Sequence, residues 1–429
     1  MFQLIRSSVT FSRILSIKPF VSGAILVLPA AILVAPHLGE VSYILLAVLG
    51  MYYLLRNGLY SARNKKVLLL SLLTLGFYSV AVISELVSGD HSVSLWNPGG
   101  LREFLAAPFI GLLLLETRVS VRLLMLTVKL SAIVIFMVVF YQFMDGVSRP
   151  SGAVNPLVFA IPSLLLGFFS IIRLPLESAP EKLVSLAAFS AGCMASVISQ
   201  SRAAWILSIF LLACVLFSWY RTGHLTKQFT LGFTTLFLAL ALVLVSSQTP
   251  IVQQRINSAL NEYHSFHTNG DWDSSVGIRI IMWKSGLSAA MEKPFFGWGI
   301  DQTQLAAASE LESPTMKQAI LKYGHLHNEY ITTLVAKGLP GLLSLLLLLF
   351  VPFATFLRQS GDPERLAHNG IGSLLCIGYA LSGLSNLAFG DDTLNIFFVF
   401  FLAVTLPTPS SEFTHHRDNT RQTALNQAG

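Results

Sequence analysis

The sequence predicts an all-α, polytopic membrane protein of about twelve transmembrane helices, with one long helical loop between the ninth and the tenth. Hydrophobic residues fill 53% of the 429 positions and charged residues 12%, whereas soluble domains carry about 25% charge. The apolar residues gather into blocks of about 20, the length that crosses a bilayer. Lysine and arginine sit between the blocks, so the formal charge of +6 marks no single patch for nucleic acid.

In chain order the candidate spans cover residues 19–36, 41–55, 67–87, 101–115, 123–143, 155–172, 183–198, 203–219, 229–246, 329–356, 370–388 and 393–407. Phe20–Ala35 is too long for a signal peptide and lacks a small-residue cleavage site, so it is expected to stay as the first span. The second and fourth spans are short, and Gly338-Leu339-Pro340-Gly341 is where the tenth would divide. Cys193, Cys214 and Cys376 all lie in apolar stretches, where a thiol behaves as a small hydrophobe and no disulfide framework forms. The expected organisation is therefore spans 1–9 over residues 1–245, a loop over 246–328, spans 10–12 over 329–407 and a disordered tail over 408–429.

Charge gives the orientation. With the N-terminus in the cytoplasm, seventeen lysines and arginines fall inside, and only Arg102, Arg149 and Arg202 fall in short outside loops. The positive-inside rule then predicts cytoplasmic termini and an outward-facing 246–328 segment. That segment is polar yet patterned. Ile251–Phe266 and Ile278–Met291 show amphipathic spacing, and a third helix is expected over Pro314–Tyr323. The whole is expected to fold over the outer mouth of the bundle.

The candidate functional residues are those that break the charge rule. Arg202, in Ser199-Gln200-Ser201-Arg202, sits in a turn at the membrane edge, where a guanidinium normally has an anionic partner. Arg279 lies on the amphipathic piece around Trp283, and Arg255 and Arg149 are weaker candidates. Such arginines suit a phosphorylated ligand, which the planar fork binds bidentately; the plainer reading is interfacial anchoring. Gly324-His325-Leu326-His327-Asn328-Glu329-Tyr330 places two imidazoles where the loop meets the tenth span. A histidine there suits general-base work, or simply marks a helix entry capped by Asn328. His-x-His with His264 and His267, and Asp271-Trp272-Asp273, have loose metal-ligand spacing, but no acidic cluster joins the histidines and the Asp pair sits in a turn. No metal is expected. Asp391 and Asp392, in the last outside turn, would orient a basic group or cap the final span.

Three stretches together resemble the O-antigen ligase and polymerase superfamily of bacterial envelope assembly, the ligases most closely. They are Ser201-Arg202 between two spans, Arg279 and Trp283 before Pro294-Phe295-Phe296-Gly297-Trp298-Gly299, and His327-Asn328 before Gly338 and Gly341. The resemblance implies an inverting glycosyltransferase with no cofactor, acting at the periplasmic face of the inner membrane. Its donor would be a glycan on undecaprenyl diphosphate and its acceptor a sugar hydroxyl of the lipid A core. By resemblance Arg202 and Arg279 would bind the diphosphate and His327 would be the base, with His325 an ambiguity and Asp391 or Asp392 the late acidic position. Three alternatives differ in acceptor or class: a polymerase using a second lipid-linked glycan, an oligosaccharyltransferase modifying protein, and a lipid-linked-sugar transporter. Against transport, the charged candidates gather at one face and not at the midplane.

Overall fold

The computed structural model describes residues 2–57, 64–88, 96–224, 250–270, 272–358 and 363–407. The expected span at 229–246, Asp271 and the tail from 408 lie outside the described residues, as do the side chains of Arg202 and Arg255. Among the described residues the chain is helical, with no strand.

The first helices are α1 (Phe2–Val34), α2 (Pro36–Asn57), α3 (Lys65–Ser88), α4 (Ala107–Thr117), α5 (Val121–Met144), α6 (Pro156–Ser170), α7 (Ala179–Ile198) and α8 (Arg202–Arg221). Four more occupy the long loop: α9 (Pro250–Asn269), α10 (Ser275–Glu292), α11 (Thr303–Ser309) and α12 (Pro314–Leu321). The last three are α13 (Glu329–Arg358), α14 (Pro363–Ser382) and α15 (Asp392–Thr405). Eight of the described helices contain a stretch long and apolar enough to cross a membrane: α1 to α3, α5 to α8 and α13. The protein is a polytopic membrane protein.

Local sequence explains where the helices start. Ser120 accepts from Leu123 N–H ahead of α5, Asn155 from Leu157 N–H ahead of α6, and Ser274 from Gly277 N–H ahead of α10. Ser178 and Glu181 close a capping box on α7. Packing follows from small residues: a Cβ on Gly192 of α7 would meet the Gly167 backbone of α6 at 2.7 Å, so these helices touch main chain to main chain. One buried ion pair lies inside the bundle, with Lys129 Nζ 2.7 Å from Glu177 Oε1.

Two spans differ from expectation in ways that shape the site. Residues 101–115 form a 3-10 turn, Arg102–Ala106, followed by the 11-residue α4, because the turn is tied down by Tyr43 Oη donating to the Glu103 carbonyl at 2.6 Å. The expected span 370–388 stops at Ser382, where Gly383, Ser385 and Asn386 form a turn closed by Asn386 N–H to the Ser382 carbonyl at 3.1 Å. Beneath that turn Phe77, Phe104, Tyr379, Phe389 and Phe398 pack ring against ring, with centroids 4.8–5.7 Å apart.

Candidate functional site

The site is built where α10, the entry to α13 and the turn after α14 meet. Asn328 caps α13 by accepting from Ile331 N–H at 3.1 Å, and its amide donates to the Leu384 carbonyl at 3.1 Å. The next residue, Glu329, is 3% exposed. Its N–H donates to the Gly383 carbonyl at 2.7 Å, and its Oε2 accepts from Ala388 N–H at 2.9 Å and Phe389 N–H at 3.1 Å. Tyr330 Oη donates to the Ala380 carbonyl at 2.7 Å. Three successive residues therefore stitch the start of α13 to the end of α14 and the turn beyond it.

The two imidazoles lie just before this stitching. His327 has φ of +50°, a conformation that only a few per cent of non-glycine residues adopt and that gathers at functional sites. It is buried, and its ring centroid stands 4.4 Å from that of His325 and 5.2 Å from that of Tyr323. Leu326, between the histidines, is held from both sides: Trp283 Nε1 donates to its carbonyl at 3.1 Å, and its N–H donates to Thr332 Oγ1 at 3.3 Å. Because Trp283 lies one turn beyond Arg279 on α10, that hydrogen bond sets the Arg279 charge beside both rings. Asn386, also buried, completes the group and acts to raise both imidazoles. Among the described residues His327 Nδ1 and His325 Nε2 are buried with no hydrogen-bond partner.

Electrostatics keep the rings neutral. Burial, then the neighbouring His325, then the Arg279 guanidinium push the His327 imidazole down to about 4, with Asn386 acting weakly the other way. Burial and Arg279 lower His325 as well. At neutral pH the His327 imidazole is therefore uncharged, with one ring nitrogen free to accept a proton.

The remaining candidates are placed as follows. Gln200 Nε2 donates to the Ser148 carbonyl at 2.8 Å, joining the turn that carries Arg149 to the turn that leads into Arg202. Gln200 itself has φ of +60°. Asp391 caps α15, its Oδ1 accepting from Thr393 and Leu394 N–H, and burial raises its carboxyl above the usual range. Asp392 Oδ2 is 2.9 Å from Arg102 Nη2, and Arg102 Nε is 2.9 Å from Glu103 Oε1. These two aspartates thus serve the start of α15 and its junction with the 3-10 turn. Among the described residues no group of three His, Cys, Asp or Glu stands together to hold a metal ion.

The loop after α10 is locked onto a break in α13. Trp298 and Gly299 N–H donate to the Val335 and Ala336 carbonyls at 2.8 and 2.9 Å, and Leu339 N–H donates to the Pro294 carbonyl at 2.7 Å. Gly338 takes φ of +65° there, and a Cβ would run into the Phe295 carbonyl.

Comparison with known proteins bears on this arrangement. Residues 186–346 match the model of the family described as O-antigen ligase, a stretch that holds Arg202, Arg255, Arg279, His325 and His327. That stretch of the chain is similar to the O-antigen ligase family. It is 27% identical over 210 residues to the O-antigen ligase of Escherichia coli, covering 48% of each protein. It is 28% identical over 162 residues to the general O-oligosaccharyltransferase of Acinetobacter baylyi, 37% of this chain and 27% of that one. An uncharacterized protein of Haemophilus influenzae is 25% identical over 338 residues, 76% of this chain and 82% of the relative. Asn386, Asp391 and Asp392 lie beyond the matched O-antigen ligase stretch and join it through α13 and α14.

Proposed function

We propose that this protein is an inverting, metal-independent glycosyltransferase that moves O-antigen glycan from undecaprenyl diphosphate to a sugar hydroxyl of the lipid A core. The reaction is placed at the periplasmic face of the bacterial inner membrane, with both termini in the cytoplasm. The partial O-antigen ligase match and the two named relatives support the coarser statement, glycan transfer in envelope polysaccharide assembly. The observation that carries the finer one is the meeting of Arg279, His325, His327 and Asn386, with His327 Nδ1 buried and unpartnered.

The chemistry fits that cluster. The acceptor hydroxyl oxygen forms a bond to the anomeric carbon as the bond from that carbon to the diphosphate oxygen breaks, which inverts the centre. His327 takes the hydroxyl proton, and the electron pair of the broken bond leaves on the diphosphate. Arg279, with Arg202, neutralises that developing charge, as preorganised cations do elsewhere without a metal. Arg255 and Arg149 are further cations available to the diphosphate. A free imidazole at about 4 is a weak base. A diphosphate bound at Arg279 cancels the guanidinium's charge and raises the imidazole, so base strength develops when the donor is present.

Envelope extracts of a deletion strain test the reading. A lost ligase leaves long chains on the lipid carrier, whereas a lost polymerase leaves single repeat units on the core. Purified protein that forms product in detergent, without a sealed compartment, excludes a transporter.

A further inference from the structure

We propose that the loop after α10 is a membrane-contact element, with Met291, Phe295 and Phe296 set among the acyl chains of the leaflet on the long loop's side. The inference goes beyond glycan transfer and does not depend on it. Two spans act as rulers for the depth of this loop. Leu339 N–H donates to the Pro294 carbonyl at 2.7 Å, and from Leu339 to Arg358 the rest of α13 runs roughly 30 Å. Ser84 Oγ donates to the Phe296 carbonyl at 2.7 Å, and Ser84 stands roughly 30 Å along α3 from Lys65. Both rulers start at a basic residue and end at the same loop, one hydrocarbon thickness away. Exposure agrees with them. Every residue from Glu329 to Gly338 is buried or half-buried, whereas beyond the break Leu339, Leu343, Leu347 and Phe350 form an exposed apolar stripe at helical spacing. Leu86 and Val87, in the last turn of α3, are exposed as well. Met291 is 78% exposed and Phe295 67%, so bulky apolar side chains are shown at the level where these lipid-facing surfaces reach the loop.

The main chain of the loop is prepared for a medium without water. Irregular backbone is tolerated at that depth only where protein satisfies its polar groups. Besides the two bonds above, Gly297 N–H donates to the Lys293 carbonyl, Trp298 and Gly299 N–H to the Val335 and Ala336 carbonyls, and Ile300 N–H to Glu85 Oε1 at 2.7 Å. Pro294 has no N–H to satisfy. Glu292 and Lys293 are the last charged residues before the two phenylalanines. Lys293 Nζ lies 3.9 Å from the centroid of the Trp298 ring, a basic and an indole side chain of the kinds that gather at headgroup level. Lipid, and not a second copy of this chain, is the occupant because the patch continues the stripe that α13 already shows to the bilayer. The helix that carries Arg279 is thereby moored to the leaflet at its C-terminal end.

The test places the photoreactive p-benzoylphenylalanine at Phe295 of the full chain, reconstituted into vesicles of phosphatidylglycerol and radiolabelled phosphatidylethanolamine. The same group at Leu343 marks a lipid-facing position, and at Gln318, exposed on α12, a water-facing one. Illumination should attach phospholipid label at position 295 about fivefold or more above position 318, as at position 343. Met291, more exposed still, carries the group if the variant at 295 does not accumulate. Label at 295 no higher than at 318 would overturn the proposal, as would a crosslink to a second copy of the chain in place of phospholipid. Loss of the phospholipid label on adding undecaprenyl phosphate would assign the patch to a polyprenyl chain and overturn it equally. Because the crosslink reads contact and not turnover, a protein that transfers no glycan would defeat the proposed function and leave this inference standing.

Discussion

Trp283 Nε1 donates to the carbonyl of Leu326 at 3.1 Å, and through that bond the helix carrying Arg279 is pinned to the residue between the two histidines. The relation explains why an arginine and an imidazole nearly fifty positions apart act on one another. Trp283→Phe keeps an aromatic ring, though a smaller one, and removes the donor. It should lower transfer about tenfold or more, as small misplacements of reacting groups do, while insertion and accumulation stay near wild type. An assay of product per unit of membrane protein checks it.

Arg279→Lys should be poorly tolerated. An ammonium keeps the charge but loses the fork that grips two phosphate oxygens at once. Donor titration should show the loss in the apparent KM for the lipid diphosphate; an unchanged KM would make Arg279 an interfacial anchor.

The pH dependence has a definite sign. His327 is lower in the folded protein, at about 4, than in the unfolded chain, at about 6.5. The unfolded chain therefore binds the proton first, so this group's contribution to stability is complete above about 6.5 and is lost as pH falls toward 4. Free-enzyme activity should stay level between pH 8 and about 6, and the midpoint of His327 should rise when a polyprenyl diphosphate is added. Histidine titration by NMR with and without the lipid checks both.

Gly338 tests the support beneath the site. Gly338→Ala forces a Cβ against the Phe295 carbonyl at a left-handed backbone position, and should cost about 1–3 kcal/mol. Thermal unfolding in detergent should show a lower midpoint. EDTA, by contrast, should leave the rate unchanged; a chelator-sensitive rate would return Asp271 and Asp273 to consideration as metal ligands.

Much of this was legible in the sequence, and the reasons are local. His325, His327 and Arg279 stand out because charge and imidazole are costly at a bilayer edge unless they have work to do. Asn328 was legible as a cap, because Asn before an apolar run is a helix start. Asn386 was not, because it sits inside an apolar stretch that hydropathy averages into a span. The signal was present in Ser382-Gly383-Leu384-Ser385-Asn386, a cluster of turn-formers within that stretch. Glu329 was visible as part of a motif, yet its partners lie 59 and 60 positions away, beyond any periodicity. Asp391 was read as either a cap or an orienting acid, and its hydrogen bonds are those of a cap.

The most direct test of the central claim is transfer by purified His327→Ala, supplied in detergent with undecaprenyl-diphosphate-linked glycan and lipid A core. The account predicts wild-type levels of inserted, folded protein and no glycan on the acceptor. Full transfer by that variant would contradict it.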